Sequence, residues 1–171
     1  RPLGLRLRLP TERYYEEEGR AELTPRDFGI LMHRVFENAA TTDEIYMAIE
    51  AMTQDGVLDE KEAPRLRELV EKALADPVTA EWFGGRWQVV RNENEIILPG
   101  SGTTRRPDRV MTDGERAVVV DYKFGDRETA RHRKQIREYL RLLRQMGYTR
   151  TEGYLWYVRL GRTERVEEKE D

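Results

Sequence analysis

The sequence predicts one α/β domain, and three observations carry that reading. Val118, Val119 and Val120 form a β-branched apolar run of the kind found in strands buried on both faces. Asp113-Gly114 is a strong hairpin signal, and it joins this run to the preceding extended segment Arg105-Arg106-Pro107-Asp108-Arg109-Val110. Amphipathic helical patterns lie both before and after the hairpin, so helices are available to cap a sheet.

With 171 residues the chain has the length for one domain with a proper core and little room for two. Charged residues make up 37% and apolar ones 38%, which implies a single core under a very wet surface. The formal net charge of -3 gives no bulk attraction to nucleic acid, although Lys and Arg can still cluster on one face. There are no cysteines. Disulfides, thiolate metal sites, iron–sulfur clusters and cysteine nucleophiles are thereby excluded, and a reducing, cytoplasmic compartment is the expected setting. No apolar run approaches a membrane span and no signal peptide is recognisable, so no membrane partner is expected. The chain opens at Arg1 rather than at methionine, which reads as a piece of a longer protein.

Taken in order, Leu3, Leu5, Leu7 and Leu9 alternate with Gly4, Arg6 and Arg8 until Pro10. This is an edge strand or extended arm whose arginine face is either solvated or able to touch phosphates. Residues 1–22 are expected to form an N-terminal arm and linker. The domain proper is expected over residues 23–161, mostly helical over 23–80 and carrying the sheet and a basic helix over 87–161, before a charged tail at 162–171.

Thr24-Pro25-Arg26-Asp27 is a helix start: a capping Thr, Pro at the first helical position and an acid in the first turn. Phe28, Leu31, Met32, Val35, Phe36 and Ala39 give its buried stripe. His33 lies beside that stripe, one turn after Gly29, as either a packing residue or a ligand. Thr42-Asp43 opens a second helix to about Gln54, with Ile45, Ala48, Ile49 and Met52 inward. A third runs from Glu60 to Leu74, with Asp76-Pro77 closing it. Trp82, Phe83 and Trp87 flank Gly84-Gly85, as core or hinge packing or as a platform for unpaired bases. Strands are expected at Trp87–Val90 and Glu95–Leu98, divided by Arg91-Asn92-Glu93-Asn94, with a turn at Pro99–Gly102. After the hairpin, helical spacing runs from about Glu128 to Met146, with Ile136, Tyr139, Leu140 and Leu143 inward and Gly147 as the C-cap. Tyr154–Val158 is the last expected strand.

The chemistry concentrates at the hairpin. Strand alternation puts Asp121 and Lys123 on one face and Tyr122 on the other. The pair is either a surface ion pair or, with Asp108 brought alongside by the hairpin, a site for a hard divalent cation and an activated water. The following helix carries Arg131, His132, Arg133, Lys134 and Arg137 in its early turns, a face suited to a polyanion or simply to solvent.

Together these residues resemble the PD-(D/E)xK nuclease superfamily, specifically the RecB-like domain at the carboxyl end of bacterial helicase–nucleases of the AddA and RecB group. Gly29 and His33 match its glycine–histidine pair, Asp108 in RPDRV its aspartate, and Asp121-Tyr122-Lys123 its Asp-Tyr-Lys string. Gln135 and Tyr139 match its glutamine–tyrosine pair one turn apart. The resemblance spans Gly29 to Tyr139. It implies a restriction-endonuclease-like mixed central sheet flanked by helices and a Mg2+-dependent deoxyribonuclease, with Mn2+ able to substitute, acting in DNA recombination and repair. On that basis Asp108, Asp121 and Lys123 are the catalytic set, and His33, Asp108 and Asp121 the metal ligands. An additional acid falls on Glu93 or Glu95, and Gln135, Tyr139, Arg133, Lys134 and Arg137 hold DNA. The substrate is expected to be a single strand fed by a helicase motor, and no Gly-rich nucleotide-binding motif for such a motor occurs in these residues. Some relatives hold an iron–sulfur cluster through cysteines that this chain lacks. The rival expectation is a catalytically silent nucleic-acid-binding or protein-docking module with the same fold. A third is an α/β domain whose acids are merely structural.

Overall fold

The computed structural model describes residues 25–93, 96, 106–124 and 130–168. The N-terminal arm at 1–22, the Thr24 cap, Glu95 and the turn at Pro99–Gly102 lie outside them. The elements are α1 (Pro25–Phe36), α2 (Thr42–Gln54), α3 (Ala63–Ala73), α4 (Pro77–Trp82), β1 (Val89–Asn92), β2 (Arg109–Asp113), β3 (Arg116–Lys123), α5 (Ala130–Gln145), β4 (Arg150–Tyr157) and β5 (Arg162–Val166). The strands form one sheet in the order β1-β2-β3-β4-β5, antiparallel throughout except for the β3–β4 pair. The α5 crossover is what allows that one parallel pairing. This is the mixed sheet flanked by helices that the resemblance implied.

The two faces of the sheet bury different layers. Val118, Val120, Tyr122, Tyr154 and Trp156 meet the inward stripes of α1 to α4, while Ala117, Val119, Leu155 and Tyr157 meet Ile136, Tyr139, Leu140 and Leu143 of α5. β3 sits between β2 and β4 and is buried along six of its eight residues, as its unbroken apolar run requires. The β2–β3 turn places Gly114 at φ 59, and no non-glycine residue has positive φ among the described residues. Only the first residue of the Gly114-Glu115 loop therefore needs the left-handed region, as in a type II′ turn.

Several boundaries differ from the sequence expectations, each for a local reason. The α2 cap is Thr41, one residue earlier than expected. Its Oγ1 accepts the Glu44 N–H at 3.3 Å while Glu44 reaches back to the Ala40 N–H, a variant of the capping box. Asp76-Pro77, expected only to close a helix, opens α4: Asp76 Oδ1 accepts the Val78 N–H at 2.8 Å and Pro77 occupies the first turn. β1 runs to Asn92, so Arg91 and Asn92 extend a ladder they were expected to interrupt. Residues 162–166 of the expected charged tail form β5, paired to β4. Val166 buries there while Arg162 and Arg165 stay exposed, as befits an edge strand. Trp82 and Phe83 are core residues, ringed by Phe36, Tyr154 and Trp156. Among the described residues, no helix is long and apolar enough to cross a membrane.

One glycine fixes how closely α5 approaches the sheet. A Cβ on Gly153 in β4 would stand 2.4 Å from Ile136 Cγ2 and 3.2 Å from Leu140 Cδ1. Gly153→Ala is therefore expected to overpack this layer at a cost of about 2–3 kcal/mol. The matching fall in Tm is roughly 5–10 °C for a chain of this size. A melting curve unchanged by the substitution would mean that α5 can slide to accept the methyl group.

Candidate metal centre and nuclease site

The site forms where α1 reaches the C-terminal end of β3. Asp108 precedes β2 and, in the antiparallel register, lies beside Asp121 of β3. Both carboxylates are almost fully buried, 6% and 4% exposed, and a buried carboxylate needs compensation. They lock each other's strands: Asp108 Oδ2 accepts the Tyr122 N–H at 2.7 Å, and Asp121 Oδ1 accepts the Asp108 N–H at 3.1 Å. The second oxygen of each acid then faces a different side chain. Asp108 Oδ1 is 2.9 Å from His33 Nε2, and Asp121 Oδ2 is 4.0 Å from Lys123 Nζ.

His33 is brought there by α1, whose apolar stripe fixes the helix on the sheet. The ring is half-buried and packs edge-on against Tyr122 and Phe124. Gly29, one turn earlier, has its reason in the same place. A Cβ there would approach the Phe124 side chain at 3.3 Å, so glycine lets the end of β3 close against the helix. Glu93, just beyond β1, comes within 3.9 Å of His33 Nε2. Donor atoms of His33, Glu93 and Asp108 all lie within 4.8 Å of one another. Two ligands of one ion with bonds of about 2.1 Å stand at most about 4.2 Å apart, so a small side-chain adjustment lets the three share a cation. One imidazole and two carboxylates are a fitting donor set for a divalent metal.

The hydrogen bond to Asp108 raises the His33 pKa above its ordinary value; burial opposes it, and the charges of Asp108, Glu93 and Glu37 add to the rise. The imidazolium stabilises the metal-free fold. That contribution is complete below the unfolded value of about 6.5 and fades as pH rises through the higher folded value. Metal binding needs the neutral ring, so its dependence runs the other way. Without metal, the urea midpoint of wild type relative to His33→Ala should thus fall as pH rises above about 6.5. With saturating Mn2+ the wild-type advantage should grow over the same range. Urea melts at a series of pH values, with and without Mn2+, test both signs. A difference independent of pH and of metal would reduce His33 to a packing residue.

The other expected site residues separate into groups. Lys123 shares a strand face with Asp121, while Glu95 lies outside the described residues. On α5, Tyr139 is 3% exposed with its ring in the core, and Gln135 is half-buried one turn before it. Arg133 Nε and Nη2 donate to Glu164 of β5 at 2.5 and 3.2 Å, Arg137 Nε donates to the Glu167 carbonyl at 3.2 Å, and Lys134 is exposed.

Arg109 was legible only as part of a motif, yet it holds the site's frame. It is fully buried, and its guanidinium donates to the carbonyls of Ala39, Ala40 and Trp82 while lying 4.0 Å over the Phe83 ring. Burial lowers its pKa, with Tyr122 opposing, but an arginine remains charged. The signal was present: alternation turns Arg109 inward beside Asp108, and an inward arginine must find acceptors.

Residues 4–171 match the PD-(D/E)XK nuclease superfamily, and the chain belongs to that family. None of the curated proteins matches the chain. The family and the His33–Glu93–Asp108 cluster together define a nuclease-type active site able to hold a divalent metal.

Proposed function

We propose that this chain is a Mg2+-dependent DNA nuclease domain of a bacterial helicase–nuclease. It hydrolyses phosphodiester bonds in single strands fed by the linked motor, in cytoplasmic DNA recombination and repair. The observation that carries the reading is the donor cluster of His33, Glu93 and Asp108 at the end of the strand that also bears Asp121 and Lys123. Asp108 and Asp121 with His33, joined by Glu93, would hold the ion. Carboxylates suit Mg2+, and the imidazole makes Mn2+ an able substitute. When bound, the ion neutralises charge on the phosphoryl oxygens and lowers the pKa of water.

The chain's own groups do the rest. Each aspartate is held through one oxygen by a backbone N–H, so its other oxygen keeps a fixed direction. Lys123 places its ammonium beside Asp121, where it can meet the charge that develops on the attacked phosphate. Gln135, Arg133, Lys134 and Arg137 would grip the backbone without reading bases, while Tyr139 packs behind them in the core and supports the helix. The resemblance to RecB-like domains supports the single strand and the motor.

Cleavage of end-labelled single- and double-stranded DNA, with Mg2+, Mn2+ or chelator, tests the proposal. Metal-dependent loss of the single strand is expected, with Asp121→Asn still binding DNA and no longer cutting it. Wild-type protein that binds DNA and never cuts it under any of these metals would favour a silent module instead.

A further inference from the structure

A metal-ligating imidazole has to be held in its ring plane, because the torsion about Cβ–Cγ is soft and ligand geometry depends on it. His33 Nε2 lies 2.9 Å from Asp108 Oδ1 and 3.9 Å from Glu93 Oε2, and turning the ring would swing that nitrogen away from both. Two aromatic rings meet the imidazole edge-on. Tyr122 does so at 6.2 Å between centroids and 73°, and Phe124 at 6.2 Å and 63°. The two are not equivalent. Tyr122 belongs to the core and is also packed by Phe36 and Trp156. Phe124 continues the same face after Val118, Val120 and Tyr122, but it is only half-buried, with Phe28 edge-on to it at 6.4 Å.

Gly29 decides where the Phe124 ring stands. A Cβ on Gly29 would meet Phe124 Cβ at 3.3 Å, Cγ at 3.6 Å and Cδ2 at 3.7 Å, so one partner would have to give by a few tenths of an ångström. The helix is anchored along its apolar stripe, where Leu31, Met32, Val35 and Phe36 are at most 2% exposed. A close-packed stripe resists displacement, so the ring at the rim gives first. Gly29 stands one helical turn before His33, on the same side of α1, and both meet that ring.

We propose that Phe124 is a positioning residue for the metal centre: seated against Gly29, its ring holds the His33 imidazole in the plane that aims Nε2 at a cation shared with Asp108 and Glu93. The inference rests on the nuclease reading above and gives the glycine–histidine spacing of α1 a physical task. Glycine leaves room for the ring, and the ring fixes the histidine. Phe124 acts through His33 and touches no cation itself.

Calorimetric titration of the full chain with Mn2+, well below each variant's Tm, tests the proposal. Phe124→Leu keeps much of the volume and loses the ring, and should weaken Mn2+ binding about tenfold, the lower end of what orienting partners contribute. Phe124→Tyr keeps the ring and should retain wild-type affinity. Gly29→Ala should weaken binding as Phe124→Leu does, although alanine is the better helix former and would by propensity favour the fold. Leu143→Ala, in the α5 layer on the other face of the sheet, lowers stability away from the centre and should keep wild-type affinity. The deciding measurement is the His33→Ala background. There Phe124→Leu and Gly29→Ala should cost no further affinity, since the ring they orient is gone. Wild-type affinity in Phe124→Leu, or the same loss with and without His33, overturns the inference and leaves the metal centre standing. So does an equal loss in Phe124→Tyr or in Leu143→Ala. Should Phe124→Leu not fold, Gly29→Ala with and without His33 decides alone. Wild type that takes up no Mn2+ overturns the metal centre as well.

Discussion

Lys123→Ala is expected to lower the rate of single-strand cleavage about 10²–10³-fold, equivalent to roughly 2.7–4 kcal/mol of transition-state stabilisation. Affinity for the same strand should change little. The asymmetry follows from position. Lys123 lies at the end of a buried strand, 4.0 Å from Asp121 Oδ2 and mostly shielded from water, so its charge acts at short range in a weakly screened site. A lysine that only attracted DNA would contribute equally to the ground state and the transition state, and removing it would raise KM and leave kcat alone. Asp121→Asn should be at least as damaging to the rate. The amide oxygen can still accept the Asp108 N–H, so the fold should survive while the charge needed for a cation is gone. Single-turnover cleavage together with equilibrium binding in Ca2+ separates the two effects. A Lys123→Ala enzyme that loses affinity and rate by the same factor would remove the lysine from the chemistry.

What the sequence disclosed about this fold and site follows from the range of the forces involved. The α1 stripe of Phe28, Leu31, Met32, Val35 and Phe36 is buried as its spacing demanded, and so are Ile136, Tyr139, Leu140 and Leu143 of α5. Helical periodicity is a local property that survives in one dimension. The relation between Asp121 and Lys123 was equally legible, because alternation along a strand needs no partner. α4 was hidden because six residues are too few to show a period, although Asp76-Pro77 marked its start. β5 was hidden because Arg-Thr-Glu-Arg-Val buries little more than its valine, and an edge strand of charged residues reads as a tail. The choice between Glu93 and Glu95 could not be made locally, since alternation along the expected strand would put both on one face. Among the described residues, which do not include Glu95, Glu93 joins the clustered donors, close to His33. The reasons for Gly29 and Gly153 are contacts with Phe124 and Ile136, far away in sequence, and no spacing rule contains them.

Arg109→Met should produce the largest loss of stability of any single change considered for this chain, about 3–5 kcal/mol. The side chain is 0% exposed, and its three acceptors belong to two separate segments: Ala39 and Ala40 follow α1, and Trp82 ends α4. All three are carbonyls at or just beyond helix C-termini, where backbone acceptors lack intrahelical partners and the dipole favours a cation. Methionine fills much of the volume but satisfies none of these carbonyls, so their desolvation goes uncompensated. For a chain of this size the fall in Tm should be roughly 10 °C or more. Arg109→Lys tests the geometry separately from the charge. An ammonium cannot span both segments as the forked guanidinium does, nor lie flat on Phe83, so an intermediate loss is expected. Because Arg109 follows Asp108 directly and grips the segment after α1, it also sets the distance from His33 to Asp108. Protein carrying lysine here should bind Mn2+ more weakly even at temperatures where it is fully folded, which calorimetric titration well below its Tm would read. Wild-type melting of Arg109→Met would show that the carbonyls find other donors. Weakened stability with unchanged Mn2+ affinity in Arg109→Lys would confine Arg109 to the fold and detach it from the metal centre.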